Sequence, residues 1–359
     1  MQAAEDTREA ARVLAVCNAC RYCEQYCPAF QALEQRITFA SADVNYLANL
    51  CHGCGECLYA CQYAPPHEFA INVPQTLAAA RVVSYEQYAW PAALAGAFRA
   101  QSTGTALLLA LAFALVLLGA TFMLNAGALR TPGADFYAVI PHAVLVGLFG
   151  GIGLLVVVAL GIGVARCRRD FAGAAPTQHR SSGVAMALHD AFTLRHLHVA
   201  GADCVTALEV RTPWRRRVHH MTLFGFALCF ASTCVAALYD LAGASAPYAY
   251  TSLPVLLGTV GGISLTIGTT GLLWLRRARD RALSHAVHEA LDGAFATLLL
   301  LTGVTGLLLL VLRGSTAMGL LLIVHLGLVL ALFVTLPYGK FVHGFYRLAA
   351  LTKYRREQD

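Results

Sequence analysis

Six apolar stretches constrain this chain more than any other feature of it. They run approximately over 104–124, 138–165, 219–239, 252–275, 290–312 and 317–338. Each is long enough to cross a hydrocarbon core, which needs about 20 helical residues. None alternates apolar and polar residues with period two, which excludes a β-barrel. The stretches are rich in small residues, among them Gly258, Gly261, Gly262, Gly268 and Gly271, and small residues let helix backbones approach closely. Buried helices of a large soluble core would need hydrophilic partners. A chain that is 58% hydrophobic and only 13% charged does not supply them.

The soluble part lies before the first apolar stretch and is organised by cysteine. Cys17, Cys20, Cys23 and Cys27 form one C-x-x-C-x-x-C-x-x-x-C run, and Cys51, Cys54, Cys57 and Cys61 form a second. In bacterial-type ferredoxins three cysteines of such a run hold one cubane and the fourth crosses to the other cluster. The expected sets are Cys17, Cys20, Cys23 and Cys61 for one [4Fe–4S] cluster, and Cys51, Cys54, Cys57 and Cys27 for the second. Structural zinc is usually held by two C-x-x-C pairs, so two identical four-cysteine runs fit it poorly. The second run departs from the pattern in having Gln62, not proline, after its last cysteine. Cluster ligands need reduced thiolates, which argues against a disulfide framework and for a cytoplasmic module. Cys167, Cys204, Cys229 and Cys234 have no ligand spacing and read as small packing residues.

Residues 1–16 are polar and charged, with Glu5, Asp6, Arg8 and Glu9. They read as a short amphipathic helix and not as a signal peptide. The segment between the runs supplies one or two covering helices, and Val73-Pro74 marks another helix start. Tyr85, Tyr88, Trp90 and Phe98 suit an interfacial belt. The expected fold is mainly α: a ferredoxin-like α-helical module with two clusters over 1–100, then a six-helix transmembrane bundle over 101–345 that contains a cytoplasmic loop at 166–218. A basic cytoplasmic tail at 346–359 follows.

The net charge of +6 does not point to nucleic acid, because the basic residues flank the spans. Segment 166–218 carries nine Arg, 276–287 four Arg, and 340–359 five Lys or Arg, whereas the opposite connections carry Arg130 and Arg313. By the positive-inside rule both termini, and the cysteine module, are cytoplasmic. The membrane is then the inner, cytoplasmic one. Arg215, Arg216 and Arg217 read as headgroup anchors.

An intramembrane histidine needs a partner and is a functional candidate. His142, His219, His220, His288, His325 and His343 fall near span ends. His325 and His343 lie about five turns apart, roughly 27 Å along a straight helix, although Pro337 between them can break it. The topology level-matches His142 with His325 in the outer layer and His219 or His220 with His343 in the inner layer, the arrangement that bis-histidine b-type haem requires. His288 is the substitute on the inner side. His189, His196 and His198 have no metal spacing and read as solvated or partner-facing. No G-x-G-x-x-G, P-loop or nucleophile elbow occurs, so no flavin or nucleotide site is expected on this chain.

The runs Cys17-Asn18-Ala19-Cys20-Arg21-Tyr22-Cys23 and Cys51-His52-Gly53-Cys54-Gly55-Glu56-Cys57 resemble the tricarballylate/citrate-utilisation protein B family. Cys61-Gln62-Tyr63-Ala64-Pro65-Pro66-His67-Glu68-Phe69 and Pro337-Tyr338-Gly339-Lys340-Phe341-Val342-His343 extend the likeness over nearly the whole chain. The resemblance implies an electron-transfer protein that reoxidises a cytoplasmic FAD-dependent dehydrogenase of a tricarboxylate and delivers electrons to membrane quinone. The organic substrate would bind the partner. The histidine spacing near the last span is also similar to the cytochrome b subunit of respiratory nitrate reductases, which implies one or two haems. The competing expectation is a transporter or channel with a regulatory iron–sulfur domain. Spans nearly free of acids, with Asp240 and Asp292 near their ends, disfavour it.

Overall fold

The structure, a computed structural model, describes residues 2–99, 101–129, 131, 136–173, 183–197, 213–244 and 246–358. Arg130, His198 and Cys204 of the sequence analysis lie outside the described residues. The fold is helical, with no strand among the described residues.

The N-terminal module is built from α1 (Gln2–Cys20), α2 (Pro28–Glu34), α3 (Ser41–Leu50), α4 (Glu56–Tyr59) and α5 (Val73–Tyr88). Proline suits the first turn of a helix because its missing N–H would be unpaired there anyway, and both α2 and α5 use it, through Pro28 and Pro74. The Asn72 side chain caps α5 by accepting from the Gln75 N–H at 3.2 Å. Helices α1, α3 and α5 pack around Leu14, Leu47, Leu50 and Leu77, all essentially fully buried. Each contributes roughly 1.5–3 kcal/mol of apolar burial.

A short helix α6 (Ala92–Arg99) leads to α7 (Thr103–Asn125), α8 (Phe136–Val139) and α9 (His142–Gly173). Then come α10 (Gly183–Thr193), α11 (Trp214–Leu241), α12 (Leu253–Arg277), α13 (Ala286–Leu312), α14 (Met318–Thr335) and α15 (His343–Gln358). Six helices are long and apolar enough to cross a membrane: α7 with the turn that follows it, α9, α11, α12, α13 and α14. Their outward faces carry exposed Leu108, Val116, Val157, Phe230 and Val260, side chains that suit a lipid solvent. Between α11 and α12 the backbones touch. A Cβ on Gly225 would lie 2.5 Å from the Leu265 amide nitrogen, and one on Gly261 2.8 Å from that of Cys229. This is the close approach that the small residues allow.

Two expectations need correction. His325 and His343 do not share one straight helix. Proline donates no backbone hydrogen bond, and α14 ends at Thr335, two residues before Pro337. A short 3₁₀ turn, Lys340–Val342, re-aims the chain before α15 begins at His343. Nor is 346–359 a loose tail. Within α15, Tyr346, Ala350, Leu351 and Tyr354 are buried in the core of the cysteine module, together with Cys167 and Phe171 at the end of α9.

A buried ion network fastens this helix. Arg36, its side chain 1% exposed, binds Asp43 at 2.9 Å and Glu357 at 2.7 Å. Glu357 also accepts from the Tyr46 hydroxyl at 2.9 Å and meets Lys353 at 3.1 Å. Removing one partner of a buried pair leaves an uncompensated charge, at a cost of roughly 3–5 kcal/mol. Glu357→Ala is expected at the lower end of that range, because Asp43 still holds Arg36. A fall in the thermal midpoint of the module reads the effect. A loss under about 1 kcal/mol would show that Asp43 alone satisfies Arg36.

Candidate functional site

The two cysteine runs fold back on each other. Cys17 and Cys20 sit on the last turn of α1, which Arg21 ends in the left-handed region at φ 55°. The chain then brings Cys23 round, and Cys61 arrives from beyond α4. All four, together with Cys57 of the second run, line one cavity of about 200 Å³, walled also by Phe30 and Tyr63. Burial pushes the Cys17 thiol up to about 12, and neighbouring Cys61, Cys23 and Cys20 push the same way. Cys23 is pushed up to about 11 by burial, then by Cys61 and Cys20.

The second group forms around the end of α3. Cys51 caps that helix, and Cys57 lies in α4. Gly53 at φ 61° and Gly55 at φ 94° turn the loop between them, a conformation that glycine adopts without a Cβ penalty. A Cβ on Gly55 would also lie 2.8 Å from the Leu283 side chain. Cys27, at the N-cap of α2, completes the group. Burial pushes its thiol far up, with Cys54 and Cys51 adding. Cys57 is pushed well up by burial, then by Cys54, Cys51, Cys27 and, from the first run, Cys23.

The structure therefore brings Cys17, Cys20, Cys23 and Cys61 around one cavity, and Cys27, Cys51, Cys54 and Cys57 together beside it, with Cys57 bordering both groups. Burial and neighbouring thiols keep Cys17, Cys23, Cys27 and Cys57 protonated unless a cation is among them, and a cluster's iron supplies that charge. Among the described residues no three His, Cys, Asp or Glu side chains converge on a single ion. A cubane is held at four corners and not at one point, so four thiols around a cavity fit a cluster better than zinc.

The histidines divide. The rings of His219 on α11 and His343 at the start of α15 have centroids 6.2 Å apart. His343 Nδ1 is 2.6 Å from the Lys340 carbonyl oxygen, so Nδ1–H donates there and Nε2 keeps its lone pair. Burial, with Lys340 and Arg347 adding, holds His343 well below the usual imidazole range and neutral, the form that binds a metal. His219 Nδ1 is buried without a hydrogen-bond partner. His220 faces elsewhere, its Nε2 3.0 Å from the Phe192 carbonyl oxygen and its ring on Phe224.

The expected outer pair is not joined. His142 Nε2 lies 3.0 Å from Asp240 and its ring packs on Tyr137. His325 Nδ1 lies 2.8 Å from the Thr305 hydroxyl, and no ring contact links His325 to His142. His288 is engaged by cations. Its Nε2 lies 3.2 Å from Arg81 Nη1 and 3.1 Å from Lys340 Nζ, two donors that occupy its lone pair. Lys340 in turn pairs with Asp292 at 2.7 Å. In the loop, His196 meets the buried carboxylate of Asp190 at 3.3 Å, which also accepts from Arg355 Nε at 2.7 Å.

Sequence reasoning missed a set of arginines. Arg81 Nη2 and Arg347 Nη2 donate to the Cys51 carbonyl at 2.7 and 2.8 Å. Arg279 Nη2 donates to the Gly53 carbonyl at 3.0 Å, and Arg215 Nη1 reaches it at 3.5 Å. Arg215, read from sequence as a headgroup anchor, thus reaches toward the second cysteine run. Burial pushes Arg347 down to about 10, with Arg81 and Arg215 adding. One signal was present in the sequence. Arg215 precedes His219 by four residues and Arg347 follows His343 by four, so each pair shares a helix face.

Comparison with known proteins gives concordant matches. A family model described as Citrate utilization protein B matches residues 97–359, and one described as Citrate utilization protein B Fer4-like domain matches 10–89. A curated relative from Escherichia coli, "Citrate utilization protein B", is 48% identical over 358 residues, covering 99% of this chain and 93% of that protein. No solved structure matches the chain.

Proposed function

Because this chain belongs to the citrate utilization protein B family, we propose that it carries electrons from a cytoplasmic FAD-dependent dehydrogenase of citrate, tricarballylate or a related tricarboxylate to membrane quinone. In this reading Cys17, Cys20, Cys23 and Cys61 hold one [4Fe–4S] cluster, and Cys51, Cys54, Cys57 and Cys27 hold the other. His219 and His343 ligate a b-type haem. The bound groups supply one-electron redox chemistry over the range their ligands and surroundings set. The remaining work belongs to the chain. The thiols of the first group line a cavity in the soluble module, within reach of a docking flavoprotein. Lys340 fixes the His343 tautomer through its carbonyl, and the ring orientation with it.

The observation that carries the reading is the continuity from cysteine to histidine. Both helices that present the 6.2 Å histidine pair also present an arginine to the second cysteine run. His142 and His325, engaged by Asp240 and Thr305, have no haem role in this reading. Both termini are cytoplasmic, supported by the Arg and Lys excess on alternate connections.

One experiment tests transfer and orientation together. In inverted membrane vesicles, the reduced partner flavoprotein added outside should reduce a quinone analogue only when this protein is present. In right-side-out vesicles it should not. Equal rates in both preparations would overturn the orientation, and no quinone reduction in either would overturn the function.

A further inference from the structure

The charges around the two cysteine groups are unequal. Four arginines, from α5, α11, the connection after α12, and α15, converge on two carbonyls of the second run, those of Cys51 and Gly53, two residues apart. Arg81 is 4% exposed. Among the described residues Arg81, Arg279 and Arg347 have no carboxylate within salt-bridge distance; their hydrogen bonds go to carbonyls and to His288. The Gly53 N–H adds a contact to the Cys51 sulfur at 3.3 Å. The second run also holds one buried acid, Glu56, directly before Cys57, against four arginines. Among the described residues the first run has no such arginine set: its neighbouring Arg21 is exposed and donates to the Asn18 carbonyl at 3.2 Å, and Glu24 follows Cys23 directly. Aromatic and aliphatic side chains, Tyr63, Phe30 and Ile71 among them, wall its cavity.

Reduction adds one negative charge to a cluster. Buried cations beside it, and amide hydrogen bonds to its sulfurs, stabilise that charge and raise its potential. Resting on the iron–sulfur reading above, we infer that Arg81, Arg215, Arg279 and Arg347 hold the cluster of the second run at a higher potential than that of the first. The first run is then where electrons arrive and the second is where they leave toward the membrane. The four arginines are positioning residues, acting on the cluster's electronics through charge. Arg215 and Arg347 also tie the second run to the histidine helices, each lying about one helical turn from its histidine. The ordering makes transfer downhill in the direction in which the module meets the bundle.

The test is a redox titration of the purified full-length protein, followed by electron paramagnetic resonance. Two midpoints are expected. Arg279→Gln should lower the higher midpoint and leave the lower one in place, and Arg279→Lys, which keeps the charge, should shift it less. Arg215→Gln makes the same test from a second helix. Cys20→Ser, at the first run, should remove the lower-potential signal and spare the higher. Unchanged midpoints in both glutamine variants, a shift confined to the lower midpoint, or loss of the higher signal in Cys20→Ser would each overturn the inference. A wild-type protein with iron but no cluster signals would overturn the iron–sulfur reading itself, a separate failure.

Discussion

Cys27→Ser removes one cluster and spares the other. Iron and acid-labile sulfide, each expected near about eight per chain for two cubanes, fall toward about four. The surviving signal is that of the group made by Cys17, Cys20, Cys23 and Cys61. The expectation comes from the crossover. Cys27 belongs by sequence to the first run, yet its buried thiol lies beside Cys51 and Cys54. The N-cap position at the start of α2 aims it there, and Pro28 begins the helix immediately after it. Serine keeps the size and suits the N-cap position but replaces a soft sulfur ligand by a hard oxygen. Loss confined to the first group would show that each run serves its own cluster. Zinc in place of iron in the wild-type protein would overturn both assignments.

His343→Ala abolishes the b-haem spectrum and lowers quinone reduction by at least about tenfold, with both cluster signals retained. Even partners that only support a ligand are worth about 10–100-fold in affinity or activity, and His343 is placed as a ligand itself. Alanine is the best helix former, and His343 opens α15, so the variant should still dock that helix through Glu357. Retained cluster signals separate a missing ligand from a collapsed fold. His220→Ala is the matched control, since His220 contacts Phe192 and Phe224 and not His343. An unchanged haem spectrum in His343→Ala would leave the clusters alone to pass electrons at the membrane surface.

The spans and the cysteine runs were legible because each is decided within a short window. An apolar helix in lipid satisfies its own backbone hydrogen bonds, so residues 290–312 read as a span whatever they pack against. Ligand spacing in the two cysteine runs is likewise local, and the crossover follows from the geometry of such runs. The start of α5 at Val73-Pro74 was visible because proline acts on its own turn.

Other features had no local signature. Successive residues on an α-helix point about 100° apart, so His219 and His220 are equivalent in composition and face different neighbours. Only the position of α15 decides between them. That position depends on the break at Pro337, which re-aims the chain, and on Glu357 meeting Arg36 across 321 residues of sequence. The same holds for Arg81, Arg215, Arg279 and Arg347, which come from four separate elements. By sequence alone the chain determined its helices, its spans and its cysteine ligand types, because propensity, hydropathy and spacing act over a few turns. Tertiary structure alone decided which histidines face each other and which cations face the second cysteine run, because those contacts join elements whose separation along the chain is set by packing.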